Sequence, residues 1–260
     1  MASRPHKNYL HVVKKINEVA GGLQPRQLNA AIFVGLWAGW KKTYSHNTLY
    51  TFTGILRRLL KHLESYGAPH LLLPHVSGPR ARPNIATPEQ MQAIVSSAAP
   101  WLRLFILLCW QTALRFSEAY RVSPRSYDKT TRTISIMVKG GKNRVLPVTS
   151  DIEVLLGPTL EGDPDKSCIA LLKGGRCSPA AVRAAWSRLT REMGISEVNP
   201  HDLRRTTLTN LYRESKDLRA CQQFAGHRSM TSTLNYLAPL KEEQLRDYYK
   251  LLKFHEGKPN

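Results

Sequence analysis

Four separated stretches of the chain carry side chains that could act together on a phosphate ester. They are Thr112-Ala-Leu-Arg-Phe-Ser-Glu118, Lys139-Gly-Gly-Lys-Asn143, His201-Asp-Leu-Arg-Arg205 and Ala225-Gly-His-Arg-Ser-Met-Thr-Ser-Thr-Leu-Asn-Tyr236. Among their side chains are Arg115, Lys139, His201, Arg204, His227 and Tyr236. A phosphodiester already bears one negative charge, and attack on phosphorus builds more on its non-bridging oxygens. Two guanidinium groups hold such oxygens bidentately, which a lysine does less well. Donors aimed at developing charge are worth on the order of 3–4 kcal/mol each in comparable oxyanion sites. Each piece alone also has a plainer reading. Thr-x-Leu-Arg is an ordinary helix face, His201 could cap a helix starting near Pro200, His227 could close one after Gly226, and Tyr236 could sit in a core. Lys142 competes with Lys139, and Tyr212, Tyr248 and Tyr249 compete with Tyr236. Arg205 competes with Arg204, but would point about 100° away on a helix.

The composition narrows the partner. Across 260 residues, 38 Lys+Arg stand against 19 Asp+Glu, a formal net charge of +19. Such an excess repels itself and is usually offset by a polyanion; nucleic acid leads, with an anionic membrane surface second. The longest apolar stretch, Ala30 to Trp40, is far short of the roughly 20 residues of a bilayer span. The basic start has no apolar run behind it, so a secretory leader is not expected. Cys109, Cys168, Cys177 and Cys221 form no CxxC pair and no Cys/His zinc spacing, so free thiols of a reducing cytoplasm are expected. No Gly-x4-Gly-Lys-Ser/Thr loop is present, so nucleotide hydrolysis is not expected, and no metal-ligand cluster stands among the motifs, so no cofactor is expected.

The elements that must position these residues fall into two parts. Residues 1–83 carry 12 Lys+Arg and 2 Asp+Glu, about twice as basic per residue as the remainder. Pro74-His-Val-Ser-Gly-Pro-Arg-Ala-Arg-Pro83 cannot continue a helix or a central strand and reads as a linker. The first part predicts three helices. One has Leu10, Val13, Ile16 and Ala20 on its apolar face, one spans Pro25 to Trp40, and one is capped by Ser45 or Asn47, with Leu49, Phe52, Leu56, Leu59, Leu60 and Leu63 as its stripe. In the second part Thr87-Pro-Glu-Gln90 is a capping box. An apolar helix follows near Trp101–Trp110. Thr131–Val138 and Arg144–Val148 form a β-hairpin around the Gly-Gly pair. A helix starts at Ser178-Pro179 and stops at Gly194. Short helices with tight turns fill 200–236, and Lys241–Phe254 forms an amphipathic helix. The fold class is therefore mainly α with a small β-sheet.

With these motifs in this order, the sequence resembles the tyrosine recombinases of the phage integrase family, the group of the Cre and Xer recombinases. The resemblance covers about residues 84–240. It implies that Arg115, Lys139, His201, Arg204 and His227 are catalytic, that Tyr236 is the nucleophile, and that Glu118 is a supporting carboxylate. The six residues, their order and the nine-residue interval from His227 to Tyr236 all fit the family pattern. Ala113 and Ala225 stand where the family usually has glycine and leucine. The resemblance further implies a helical core-binding domain at 1–78 and an α+β catalytic domain at 79–260, closing as a clamp on double-stranded DNA. It leaves no room for an additional arm-binding domain. DNA contacts are expected from Lys41, Lys42, Arg57, Arg58, Lys61, Arg80, Arg82, Lys142, Arg144 and Arg205.

The reaction so implied is cleavage through a 3′-phosphotyrosine, with His201 accepting the phenol proton and Lys139 protonating the departing 5′-oxygen. The substrate would be DNA with inverted-repeat core sites, bound by a homotetramer whose C-terminal helix docks on a neighbouring protomer. Accessory DNA-bending proteins would assist, without a membrane, in the cytoplasm beside the nucleoid. Two rivals share the features: a type IB topoisomerase-like enzyme, and a catalytically inactive DNA-binding relative. A membrane-surface protein would fit the charge but not the motifs.

Overall fold

The computed structural model describes residues 4–78, 85–138 and 141–237, with the side chains of residues 4, 5, 138, 142, 235 and 236 outside that description. The chain divides into two compact units, Met1–Ala81 and Arg82–Asn260. The division falls within the proline-rich segment.

The first unit contains helices α1 (Arg4–Ala20), α2 (Ala30–Thr43) and α3 (His46–Glu64). The buried face of α1 runs through Val12 and Ala20, with Tyr9 and Ile16 packed beside them. Ile16 and Ala20 pack as expected, whereas Leu10 and Val13 are exposed and Tyr9 and Val12 take their places. Proline 25 opens only a three-residue 3-10 turn, Pro25–Gln27. Helix α2 starts later because Asn29 takes its N-cap, its Oδ1 accepting from the Ile32 amide at 3.2 Å. Ser45 is the N-cap residue of α3, and Leu49, Phe52, Leu56 and Leu60 are buried as the stripe requires. Trp40, Tyr44 and His11 pack their rings against Phe52 at 5.0 to 5.5 Å.

The second unit is built around one helix. Helix α4 (Pro88–Ser97) begins with the expected capping box of Thr87 and Gln90, and α5 (Pro100–Gln111) follows. In α5, Leu102 and every residue from Leu104 to Cys109 are buried. A helix apolar on all sides belongs in the middle of a fold. After α5 come the short α6 (Phe116–Tyr120) and an antiparallel sheet of β1 (Tyr127–Asp128), β2 (Thr133–Val138) and β3 (Lys142–Pro147), in that order. Ile134 pairs with Leu146 and Ile136 with Arg144. These four face inward, while Ser135, Met137, Asn143 and Val145 alternate away from the core.

Helices α7 (Ser150–Leu156), α8 (Cys168–Leu172), α9 (Pro179–Glu192), α10 (Pro200–Ser215), α11 (Leu218–Ala225) and α12 (Met230–Tyr236) complete the described chain. Helices α10, α7 and α8 pack directly on α5. The stretch 200–236, expected as short helices, contains one of 16 residues, α10, closed by Lys216 in the left-handed conformation at φ 53°. The expected helix Lys241–Phe254 lies outside the described residues. No helix among the described residues is long and apolar enough to cross a membrane. All four cysteines are free thiols.

Candidate active site

The site starts where α5 ends. Thr112 donates its hydroxyl back to the Leu108 carbonyl at 2.5 Å, and Ala113 turns the chain at φ 50°. That turn places Arg115 at the N-cap of α6. Glu118, on the first turn, receives both groups of Arg115: the backbone amide at 2.9 Å and Nη1 at 2.8 Å. Burial alone would raise the Glu118 carboxyl. The two Arg115 hydrogen bonds and the charges of Arg115 and Arg204 outweigh it and hold the group below the usual carboxylate range. Arg115 is thereby fixed by an ionised neighbour, and its side chain still shows 38% of its surface.

Arg204 comes from α10. Asn199 caps this helix, its Oδ1 accepting from the His201 amide at 3.0 Å, and Asp202 returns a carboxylate oxygen to the Asn199 amide, also at 3.0 Å. One turn in, Arg204 is completely buried. Its Nη1 donates to the Ala113 carbonyl, and its Nη2 donates to the Ala225 carbonyl at 2.7 Å and to His227 Nε2 at 2.9 Å. A guanidinium can only donate. His227 Nε2 is therefore the acceptor, and the ring proton sits on Nδ1, facing Thr233 Oγ1 at 3.0 Å. Burial, then Arg204, Arg115, Arg144 and His201, pull His227 down to about 4, so its neutral form is the stable one. His201 keeps an exposed side chain. Desolvation by its neighbours, followed by the charges of Arg205, Arg204 and Arg115, depresses it as well.

Two residues expected among the DNA-facing cations lie elsewhere. Arg144 shares the inward parity of Leu146 on β3 and is only 9% exposed. Its Nη2 donates to the carbonyls of Thr112 (3.3 Å) and Phe224, and its Nη1 lies 3.9 Å from Glu118. Arg205 is mostly covered and pairs with Asp202 at 2.6 Å. In the first unit Lys41, Lys42, Arg57, Arg58 and Lys61 are exposed as expected. Arg58 donates to Tyr9 (2.8 Å), Arg57 to the Pro74 carbonyl (3.3 Å), and Lys41 lies over Trp37. Lys139, Arg80 and Arg82 lie outside the described residues, as do the side chains of Lys142 and Tyr236. The backbone of Tyr236 closes α12, the helix anchored to His227 through Thr233.

Arg115, Glu118, Arg204 and His227 thus meet at one place, with His201 within their electrostatic reach. The sequence places Arg144 among the DNA contacts, not in this cluster, and gives no sign of Thr233. The alternation of Arg144 with Leu146 and Val148 was the available signal for the first. Among the described residues, no group of three or more His, Cys, Asp or Glu side chains gathers as a metal ion would need. The cluster concentrates positive charge and directed donors, which suits an anion that gains charge as it reacts.

Comparison with known proteins finds relatives of both the sequence and the fold. The model of the "Phage integrase family" matches residues 84–243. A tyrosine recombinase XerC of Agrobacterium fabrum is 28% identical over 200 residues, covering 70% of this chain and 64% of that protein. A XerC of Staphylococcus saprophyticus is 26% identical over 223 residues, covering 80% and 75%. The chain thus spans just under two thirds of the first relative's length. The fold is similar to that of the XerH site-specific recombinase bound to a palindromic difH substrate, with a TM-score of 0.77, 18% identity, and 95% of this chain and 79% of that one covered. It is also similar to a lambda integrase fragment bound to a core site, with a TM-score of 0.71, 16% identity, and 91% and 89% covered.

Proposed function

The chain belongs to the phage integrase family, and we propose that it is a site-specific DNA recombinase that cleaves and rejoins strands through a 3′-phosphotyrosine on Tyr236. The observation that carries this reading is the meeting of Arg115, Arg204 and His227, brought from three separate segments to one carboxylate-braced cluster in which Arg204 and His227 are buried and Arg115 stays partly open. In the proposed reaction the Tyr236 oxygen attacks the scissile phosphorus, forming a P–O bond to tyrosine and breaking the bond to the 5′-oxygen. Its phenol, near ~10 when free, loses its proton to His201 as the surrounding cations stabilise the phenolate. Lys139 returns a proton to the departing 5′-oxygen. Arg115 and Arg204 hold the non-bridging oxygens. For Arg204 that requires uncovering, because its guanidinium is sealed between two carbonyls and His227. The phosphotyrosine keeps the energy of the broken bond, so rejoining draws on no nucleotide hydrolysis.

In this reading residues 1–78 form a core-binding domain and 79–260 the catalytic domain. Both contact duplex DNA carrying inverted-repeat core sites. Four protomers assemble on two sites, accessory proteins bend the DNA, and the reaction runs in the cytoplasm beside the nucleoid. The recombinases solved on their DNA sites support the partner through a shared fold. The test is a nicked suicide substrate drawn from the DNA flanking the gene, incubated with the protein in a chelator and without ATP. A covalent protein–DNA adduct is expected. Relaxation of supercoiled plasmid lacking any target site would point instead to a topoisomerase. Binding without any adduct would leave a DNA-binding protein.

A further inference from the structure

Arg144 and Arg204 divide two turns between them. Arg204 takes the carbonyls of Ala113 and Ala225; Arg144 takes those of Thr112 and Phe224, the residue before each. One turn leads from α5 to Arg115, and the other leads from α11 to His227. Arg144 thus joins the same two segments as Arg204 and reaches Glu118 as well, at 3.9 Å. Gly226 lies against its side chain: a Cβ there would meet Cδ at 3.2 Å and Nε at 3.3 Å, and the residue holds φ +64°. Both demands are met by glycine.

Burying this guanidinium is costly. It is nine-tenths buried, and its Nε and Nη1 make no hydrogen bond among the described residues. An apolar side chain of similar volume would avoid that desolvation cost but leave the Thr112 and Phe224 carbonyls without this donor. What the guanidinium adds is a rigid fork spanning two carbonyls that belong to different segments.

We propose that Arg144 is a positioning residue of strand cleavage: it locks the turn before Arg115 to the turn before His227, and so sets where Arg204 and His227 meet the scissile phosphate. This rests on the recombinase reading. The proposal also gives Arg144 an electrostatic signature. His227 is faced by Arg204 and His201 on α10, Arg115 before α6, Arg144 on β3 and the Thr233 hydroxyl on α12. Removing one of its three cations raises the imidazole toward its free value.

The experiment compares Arg144→Met, Arg144→Gln and Arg144→Lys with the parent in the full-length protein. Thermal melting identifies the variants that fold. Affinity for target-site DNA is expected to stay within about twofold, since Arg144 is buried, and adduct formation at saturation should fall about a hundredfold in the Met and Gln variants. The Lys variant keeps the charge and should recover part of the rate. Without DNA, the His227 imidazole, followed by NMR, should titrate higher in the Met and Gln variants and not in the Lys variant. A folded Met variant that forms adduct at the parental rate overturns the proposal. So does an unmoved His227 titration. If the parent itself forms no adduct, the recombinase reading fails, and the DNA-free titration still decides whether Arg144 acts on His227.

Discussion

Arg115 is the guanidinium that the fold leaves open, and Glu118 is the reason it points one way. Arg115→Lys keeps the charge but loses the planar fork. Cleavage at saturating DNA is expected to fall by about 10²–10³, the range for losing one oriented donor, while affinity barely changes. Single-turnover adduct formation against filter binding separates the two. His227 makes a second prediction. Its pKa drops from 6.5 to about 4 on folding. Between those values the unfolded chain binds the extra proton, so stability rises with pH across that window. His227 therefore favours folding fully above pH 6.5 and loses that contribution as pH falls toward 4. The melting temperature of the parent should drop more steeply over that interval than that of His227→Gln; parallel curves would contradict it. At this scale the sequence was informative wherever a residue type was unusual for its place. Arg115, Arg204 and His227 could be named from their motifs. Arg144 could not, because against a charge of +19 one more arginine reads as one more phosphate contact. Only the two-residue alternation of β3 tells that it turns inward.

The elements explain how a short segment carries so much of the site. Ala113 is fully buried in the left-handed region, and its carbonyl seats Arg204. The conformation costs an alanine about 1–2 kcal/mol. In Ala113→Gly the relief of that strain offsets the lost methyl and the looser unfolded chain, so stability should stay within about 1 kcal/mol of the parent. A β-branched residue fits far worse: Ala113→Val should cost more than about 2 kcal/mol and lower cleavage with it. Denaturant midpoints check both. A stable, active Val variant would mean that the turn does not depend on this backbone geometry. The helix starts at Thr87 and Ser178 were readable because capping side chains act on their own neighbours, here the Gln90 and Ala181 amides. The start of α2 was not, since Pro25 suits a first helical position while the cap forms at Asn29. The facing side of α1 was read correctly at Ile16 and Ala20 and missed in its first half. Leu10, Val12 and Val13 are equally apolar, and the partner helices decide which is covered.

The whole molecule carries an excess charge that DNA would neutralise. Binding should weaken linearly with the logarithm of salt concentration, each neutralised phosphate adding about 0.9 to the slope. Lys42 and Lys61 are exposed in the first unit. The double variant Lys42→Ala, Lys61→Ala should flatten the slope by about 2 and leave the cleavage rate at saturating DNA unchanged. An unchanged slope would place the phosphate backbone elsewhere on the surface. The division of the chain within Pro74–Pro83 was legible because prolines and glycine interrupt both helix and strand. The convergence of segments more than 80 residues apart was not, because it depends on α10 lying against α5.

If Tyr236 attacks the scissile phosphorus, it is the residue that becomes linked to DNA. Peptide mapping of the adduct by mass spectrometry tests it directly. The phosphodeoxyribose remnant should sit on Tyr236, and Tyr236→Phe should still bind DNA but form no adduct. A remnant on Tyr212, Tyr248 or Tyr249, or an adduct that persists in the Phe variant, would contradict the account.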